Sequence, residues 1–468
     1  MEQADHGDLA ALLPEDVLAD VLRRLAAPRW LAMLRCVCKA WRAIIDGESL
    51  LRTELPFSGF FITFQELCLP EFFARPLSPP GRPAISGKLD FLPTPIEVSS
   101  GGSRTWSLDG DYYIQDHCNG LLLLDGYVVN PATRSWDPLP PCPPNHGSGI
   151  VYDAHDRELL AFDPMVSSHY HVVSIHYLST YFRRAQFDPL EEASEWPPSP
   201  YILHVFSSKT RHWEERSFVR EGDAVGTVAE ARADLGRVSS VYWRGSLYVL
   251  SQYNFVTRIS LSEDKYSVIK SPMGIGWSSY IGLSEKGVYC ASFLKNDHIL
   301  VCTLNESCDQ FDWILKHEYD LKPVKMFDRQ VHGPWILEDI NYGVLRSHLP
   351  NINKEEVIQE KFEWNSDDDD FHDNKGMVED HHHPYFEIEI LGFHPYKEIL
   401  FLSRSETFKL KAMAFAYHLN SFKVESLGSI YLSCHKYFDS GLANEAREIE
   451  SFPYTPCCWI EEIPERVN

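Results

Sequence analysis

The run Asp367 to Asp370, followed by His372, Asp373, Asp380 and His381-His382-His383, is the densest group of metal-ligating side chains in this 468-residue sequence. The chemistry it could do is divalent-cation binding. Its spacing argues against a built site. Placing Gly376 at the sixth position of a calcium loop puts Phe371 at the first, where a carboxylate is required. The stretch near 363–384 reads instead as a solvated acidic loop between folded elements.

Other chemical signatures are missing. His317-Glu318 lacks a second histidine at zinc-protease spacing, and Gly274-Ile275-Gly276 has neither a third glycine nor a following helical pattern. Phosphate-cradling loops and nucleophile elbows do not occur. Eleven cysteines run from Cys36 to Cys458 without a C-x-x-C pair. That points to reduced, mostly buried thiols rather than a disulfide framework or zinc site, and to a cytoplasmic and/or nuclear compartment. Cys36 and Cys38 would sit on different faces of a helix, and Cys457-Cys458 reads as two small residues in a strand. The sequence therefore assigns no catalytic residue, no metal and no cofactor. A rival reading, a propeller enzyme of oxidoreductase or hydrolase type, needs several inward His, Asp or Glu residues converging at one channel mouth with perturbed titration.

Charge narrows the partners. With 43 basic against 67 acidic residues the formal net charge is −24, which argues against a nucleic-acid or anionic-membrane surface. Residues 1–10 are expected to form an acidic flexible tail and not a secretory signal. No apolar run approaches the roughly 20 residues of a membrane helix.

Two kinds of element follow. Leu13, Val17, Leu18, Val21, Leu22 and Leu25 recur at spacings of three and four, so they share one helical face. Pro14 suits the first helical position, Glu15 and Asp16 the positive end of the dipole, and Arg23 and Arg24 the negative end. Pro28 stops the helix. Trp30, Leu31 and Leu34 mark a second short helix, and Val37, Trp41, Ile44 and Ile45 a third. A unit of about forty residues cannot bury this surface alone, so a partner is expected to cover part of it.

After residue 55 helical periodicity gives way to short β-rich runs. These span 59–64, 120–124, 127–129, 169–177, 201–206, 241–250, 257–261, 287–293, 298–304, 386–393, 398–402 and 412–419. Internal similarity sharpens the picture. Tyr127 to Trp136 aligns without gaps on His204 to Trp213, sharing a Val, the Thr-Arg pair and the final Trp. Looser copies end at Tyr266, Trp313 and Phe422. The aromatic positions are 77, 53, 47 and 109 residues apart, and the middle gaps match a propeller blade of about 50 residues. The last gap fits two blades, or one blade with an insertion. Trp136 and Trp213 are expected between blades, as core.

The stretches LPEDVLADVLRRL (13–25) and LRCVCKAWRAII (34–45) closely resemble the F-box, the segment that docks substrate receptors onto the Skp-type adaptor of cullin-RING ubiquitin ligases. Likewise CNGLLLL (118–124), VVNPATRSWDPLPP (128–141), FDPMVSSHYHVV (162–173) and YTPCCWIEEIPE (454–465) resemble the F-box-associated propeller domain of plant F-box proteins. Kelch repeats proper differ, since Gly101-Gly102 is the only Gly-Gly pair. The resemblance implies an α+β multidomain chain: a short three-helix F-box at 11–52, then a large all-β propeller-like domain at 57–465 with about six to eight blades. It further implies a non-enzymatic substrate receptor of an SCF-type ligase. Adaptor binding would run through Leu13, Pro14, Leu18, Val21, Leu22, Leu25, Val37, Cys38 and Trp41, with an unknown protein substrate on the propeller. A scaffold that binds the adaptor without turning over a substrate is the remaining alternative.

Overall fold

The computed structural model describes residues 57–64, 69–76, 87–92, 113–144, 154–178, 189–231, 238–252, 255–271, 279–285, 287–294, 298–307, 310–321, 324, 333–338, 340–341, 386–406, 412–430 and 449–457, together with Leu22, Trp41 and Ile44. The expected three-helix arrangement and the acidic loop near 363–384 lie outside them. No helix among the described residues is long and apolar enough to cross a membrane.

Strands dominate. β1 (Gly59–Phe64) and β2 (Glu71–Ala74) come first, then a four-stranded meander of β3 (Ile114–Cys118), β4 (Leu121–Leu124), β5 (Tyr127–Asn130) and β6 (Ser135–Pro138). The second blade uses β7 (Ala154–Ala161), β8 (His171–Leu178), β10 (Tyr201–Ser207) and β11 (His212–Glu221), flanked by a ribbon of β9 (Glu195–Trp196) and β12 (Gly226–Thr227). A third contains β13 (Ser239–Trp243), β14 (Ser246–Gln252), β15 (Phe255–Ser260) and β16 (Lys265–Lys270). The fourth contains β17 (Ser279–Ser284), β18 (Gly287–Leu294), β19 (His298–Ser307) and β20 (Gln310–Asp320). After β21 (Ile336–Leu337) the fifth is β22 (Phe386–Phe393), β23 (Ile399–Glu406), β24 (Ala412–His418) and β25 (Val424–Ile430), and the chain returns in β26 (Ile449–Tyr454).

The sixth sheet, in the order β21-β2-β1-β26, is assembled from three distant parts of the sequence. Innermost strands touch in a closed circuit, β3 to β7, β13, β17, β22, β26 and back to β3. Six propeller-like blades thus surround one axis among the described residues. The 109-residue gap is one blade plus an insertion, and the insertion donates β21 to the sixth blade.

Each blade-to-blade seam holds one hydrophobic cluster. In β1, Phe60, Ile62 and Phe64 enter the cluster shared with the fifth blade, while Phe61 enters the one shared with the first. Leu122 and Leu124 of β4 face the sixth blade, and Leu121 and Leu123 the second. Successive side chains point to opposite faces of a strand, so strands buried on both faces need apolar residues throughout, hence GFFITF and LLLL.

Turn chemistry explains the repeat. Arg134, Arg211, Asp264 and Phe422 all have positive φ in equivalent four-residue turns. The next pair along each ladder is Val129 with Trp136, Phe206 with Trp213, Ile259 with Tyr266, and Tyr417 with Val424. Phe422 therefore occupies the left-handed turn position, and the counterpart of Trp136 in the fifth blade is Val424. Trp136 packs on the seam between sixth and first blades and Trp213 on that between first and second, its Nε1–H donating to the Pro140 carbonyl at 2.7 Å. The expected run 241–250 is two strands, broken by Arg244-Gly245, both at positive φ as a two-residue hairpin turn requires.

Antiparallel meanders put first-to-second and third-to-fourth turns on one face of the ring. Bonds between neighbouring blades confirm that these ends align: Asn119 Nδ2 donates to the Phe162 carbonyl at 2.6 Å, and Ser284 Oγ to the Lys397 carbonyl at 2.7 Å. Both ends of the ring chain meet that short-turn face. Ser58 N–H donates to the Tyr454 carbonyl at 3.0 Å, and Asn130 Nδ2 to the Cys457 carbonyl at 2.9 Å.

The insertion is held as a strap. Trp335 N–H donates to the Leu427 carbonyl of β25 at 2.7 Å, and a Cβ on Gly333 would lie 2.0 Å from that carbonyl carbon. Beyond β21, the buried Glu71 carboxylate accepts from the Ile340 N–H at 2.5 Å, the Asn341 N–H at 2.9 Å and Asn341 Nδ2 at 2.7 Å.

Candidate functional site

Of the nine expected docking residues, Leu22 and Trp41 are described; both are helical, Leu22 buried and Trp41 half-buried. Ile44, three residues after Trp41 and so on the same helical side, is helical and buried. Leu13, Pro14, Leu18, Val21, Leu25, Val37 and Cys38 lie outside the described residues. Apolar side chains on helices offer packing and no bond-making chemistry.

Polar side chains converge at the inner wall of the ring. Asp116 of β3 accepts from the Leu160 N–H of β7 at 2.7 Å and from Ser240 Oγ of β13 at 2.8 Å. Arg157 of β7 donates to the Gln115 carbonyl at 2.8 Å and pairs with Glu450 of β26 at 3.5 Å. The Tyr113 hydroxyl donates to Glu450 at 2.5 Å. Burial pushes the Asp116 carboxyl up to about 6, against the opposing pull of its hydrogen bonds and of Arg157. Burial also works against charge on Arg157, but Glu450, Tyr113 and Asp116 together raise its pKa.

This is the constellation an enzyme reading would look for, yet it holds one strongly shifted carboxylate. Asp116 Oδ2 accepts from both the Leu160 N–H and Ser240 Oγ, and the His117 backbone adds a further hydrogen bond to the carboxylate. What the arrangement does is clip four blades together, Asp116 joining the first three and Arg157 reaching Glu450 of the sixth.

A pH dependence follows from that clip. Because Asp116 keeps its proton to about pH 6 when folded and to its ordinary value of 3.8 when unfolded, the folded state binds more protons between those values. Stability from this group therefore falls as pH rises from about 4 to 6, by about 3 kcal/mol at most. Asp116→Asn keeps an acceptor and removes the charge. Urea unfolding should show the variant gaining on the parent between pH 4.5 and 7.5, and an identical difference at both values would contradict the assignment.

The remaining candidates resolve as structure. His317 is half-buried and stacked on Tyr319 with ring centroids 5.2 Å apart, whereas Glu318 is exposed and lies 3.5 Å from His298. Cys118, Cys290, Cys302 and Cys457 are buried free thiols, and burial raises Cys290 to about 12 and Cys302 to about 11. Asp137 accepts from the Tyr170 hydroxyl and Arg211, tying first to second blade. Gly274 to Gly276 lie outside the described residues. No group of three or more His, Cys, Asp or Glu among those residues could hold a metal ion.

Sequence reasoning missed Asp116, Arg157 and Glu450 because their association depends on strand order.

Comparison with known proteins adds the N-terminal half of the picture. Residues 10–53 match the F-box-like family model. A putative F-box protein of Arabidopsis thaliana is 28% identical over 214 residues, covering 44% of this chain and 47% of the relative, so the match spans about half that protein's length. Among solved structures, AztD of Citrobacter koseri shares 12% identity over 72% of this chain and 73% of its own, with a TM-score of 0.26. A prolyl endopeptidase structure shares 9% over 88% of this chain and 53% of its own, with a TM-score of 0.27. Likenesses that distant bear on neither fold nor activity. The chain thus carries an F-box-like segment at residues 10–53 ahead of a β-rich ring, and part of its length is similar to a putative F-box protein of a plant.

Proposed function

We propose that the chain is the substrate-receptor subunit of an SCF-type cullin-RING ubiquitin ligase, bound to a Skp-type adaptor through its F-box. The observation that carries this is the F-box-like match at residues 10–53 in front of a closed β-ring. Leu13, Pro14, Leu18, Val21, Leu22, Leu25, Val37, Cys38 and Trp41 would supply the adaptor contacts, shared with packing inside the F-box. The ring would hold a protein substrate. Mechanistically the receptor raises the effective concentration of a substrate lysine beside a ubiquitin-charged enzyme and leaves bond-making to other subunits. A cytoplasmic or nuclear site of action accords with the free thiols.

Purified full-length protein is expected to co-elute with a Skp-type adaptor in gel filtration, and removal of residues 1–53 to abolish the complex while the ring keeps its cooperative melt. Binding that survives the deletion would sink the proposal. Reconstituted ubiquitylation of a bound partner would separate a receptor from a non-degradative scaffold.

A further inference from the structure

We infer that the F-box segment is seated on the short-turn face of the ring beside the fifth blade, so that the adaptor is held on that side and the opposite face stays open. For the F-box segment this rests on chain connection alone; for the adaptor it rests on the receptor function proposed above.

The connection is short and its end is pinned. Phe57 stacks on Phe401 of the fifth blade with centroids 5.2 Å apart, and lies 5.1 Å from the rings of Phe60 and His394. The F-box-like segment ends at residue 53. Four residues reach at most about 14 Å. The innermost strand of the sixth blade, six residues from Ile449 to Tyr454, is itself about 17 Å long from face to face. A segment tethered at Phe57 cannot pass around a blade to the far face.

The same face of the fifth blade carries two exposed aromatics. Phe422, on the third-to-fourth turn of the fifth blade, is 64% exposed although its ring meets Tyr319 at 5.3 Å. Tyr396, on the first-to-second turn of the same blade, is 42% exposed. The F-box carries more apolar surface than about forty residues can bury among themselves. Opposite lies the face with the second-to-third turn Asp125-Gly126 and the blade-to-blade connections. Asp125 is exposed there, and so is Tyr113, just ahead of β3.

Photo-crosslinking in the full-length protein mixed with purified Skp-type adaptor tests the orientation. Benzoylphenylalanine placed at Phe422 or Tyr396 should crosslink to residues 10–53 or to the adaptor. The same probe at Asp125 or Lys270, at the other ends of their strands, should crosslink to neither. Crosslinks from Asp125 or Lys270 to those targets, or none from Phe422 and Tyr396, overturn the inference. Failure of the adaptor to co-purify overturns the receptor function instead, and crosslinks within the chain still report where the F-box sits.

Discussion

Ending the chain at residue 448 is expected to abolish the folded ring, the largest single effect the structure implies. β26 is the innermost strand of the sixth blade, pairing with β1 from Gly59 opposite Tyr454 to Phe64 opposite Ile449. Its loss strips that ladder and removes the buried Phe452 and Tyr454 from the seam with the first blade. Burying each aromatic is worth about 2–3 kcal/mol. The Arg157 pair with Glu450 and the bond from Ser451 Oγ to the Leu391 carbonyl go with it. These losses approach the whole net stability of a domain, about 5–15 kcal/mol. The measurement is thermal unfolding of the 1–448 chain followed by circular dichroism. A cooperative transition within a few degrees of the parent would show that the ring closes without β26.

Glu71→Ala is expected to be the most damaging single substitution. Three donors from Ile340 and Asn341 converge on one fully buried carboxylate. Truncation leaves the Ile340 and Asn341 N–H groups without this acceptor, while Asn341 Nδ2 keeps its bond to the Leu69 carbonyl; each N–H stranded in this way costs about 1–3 kcal/mol. Glu71→Gln keeps one acceptor oxygen and should lose less. Denaturant midpoints measure the cost, and limited proteolysis locates it: cleavage should accelerate first between residues 338 and 385. Uniform acceleration across all blades would mean that Glu71 supports the whole ring rather than the strap.

Of the innermost strands, β3, β7, β17 and β26 lay outside the expected runs, whereas the second strands were legible because burial on both faces demands uninterrupted apolar residues, as in GFFITF and LLLL. Outer strands were not. β11, HWEERSFVRE, is largely exposed, so only its start at Trp213 was marked by the repeat; besides β10 it pairs across blades, in parallel with β16 at Val219 to Glu221. The third-to-fourth turns announced themselves through Thr-Arg-x-Trp because a left-handed residue must precede the last strand at a fixed distance. Phe422 misled since an aromatic can occupy either the turn or the strand position. β2 and β21 escaped notice: a four-residue and a two-residue strand carry no periodicity, and their pairing joins segments over 250 residues apart. The Asp116 clip was invisible for the same reason, being a product of strand order with no local motif.

Closure by distant segments has a consequence for the order of events during synthesis. Gly59 and Tyr454 are ladder partners, so the sixth blade is incomplete until the ribosome has added almost 400 further residues, about 20–80 s at ordinary elongation rates. The F-box leaves the exit tunnel at the start of that interval. Under the receptor function proposed above, a newborn chain would meet its adaptor well before it owns a closed ring, and the joining of machinery would precede any ability to hold cargo.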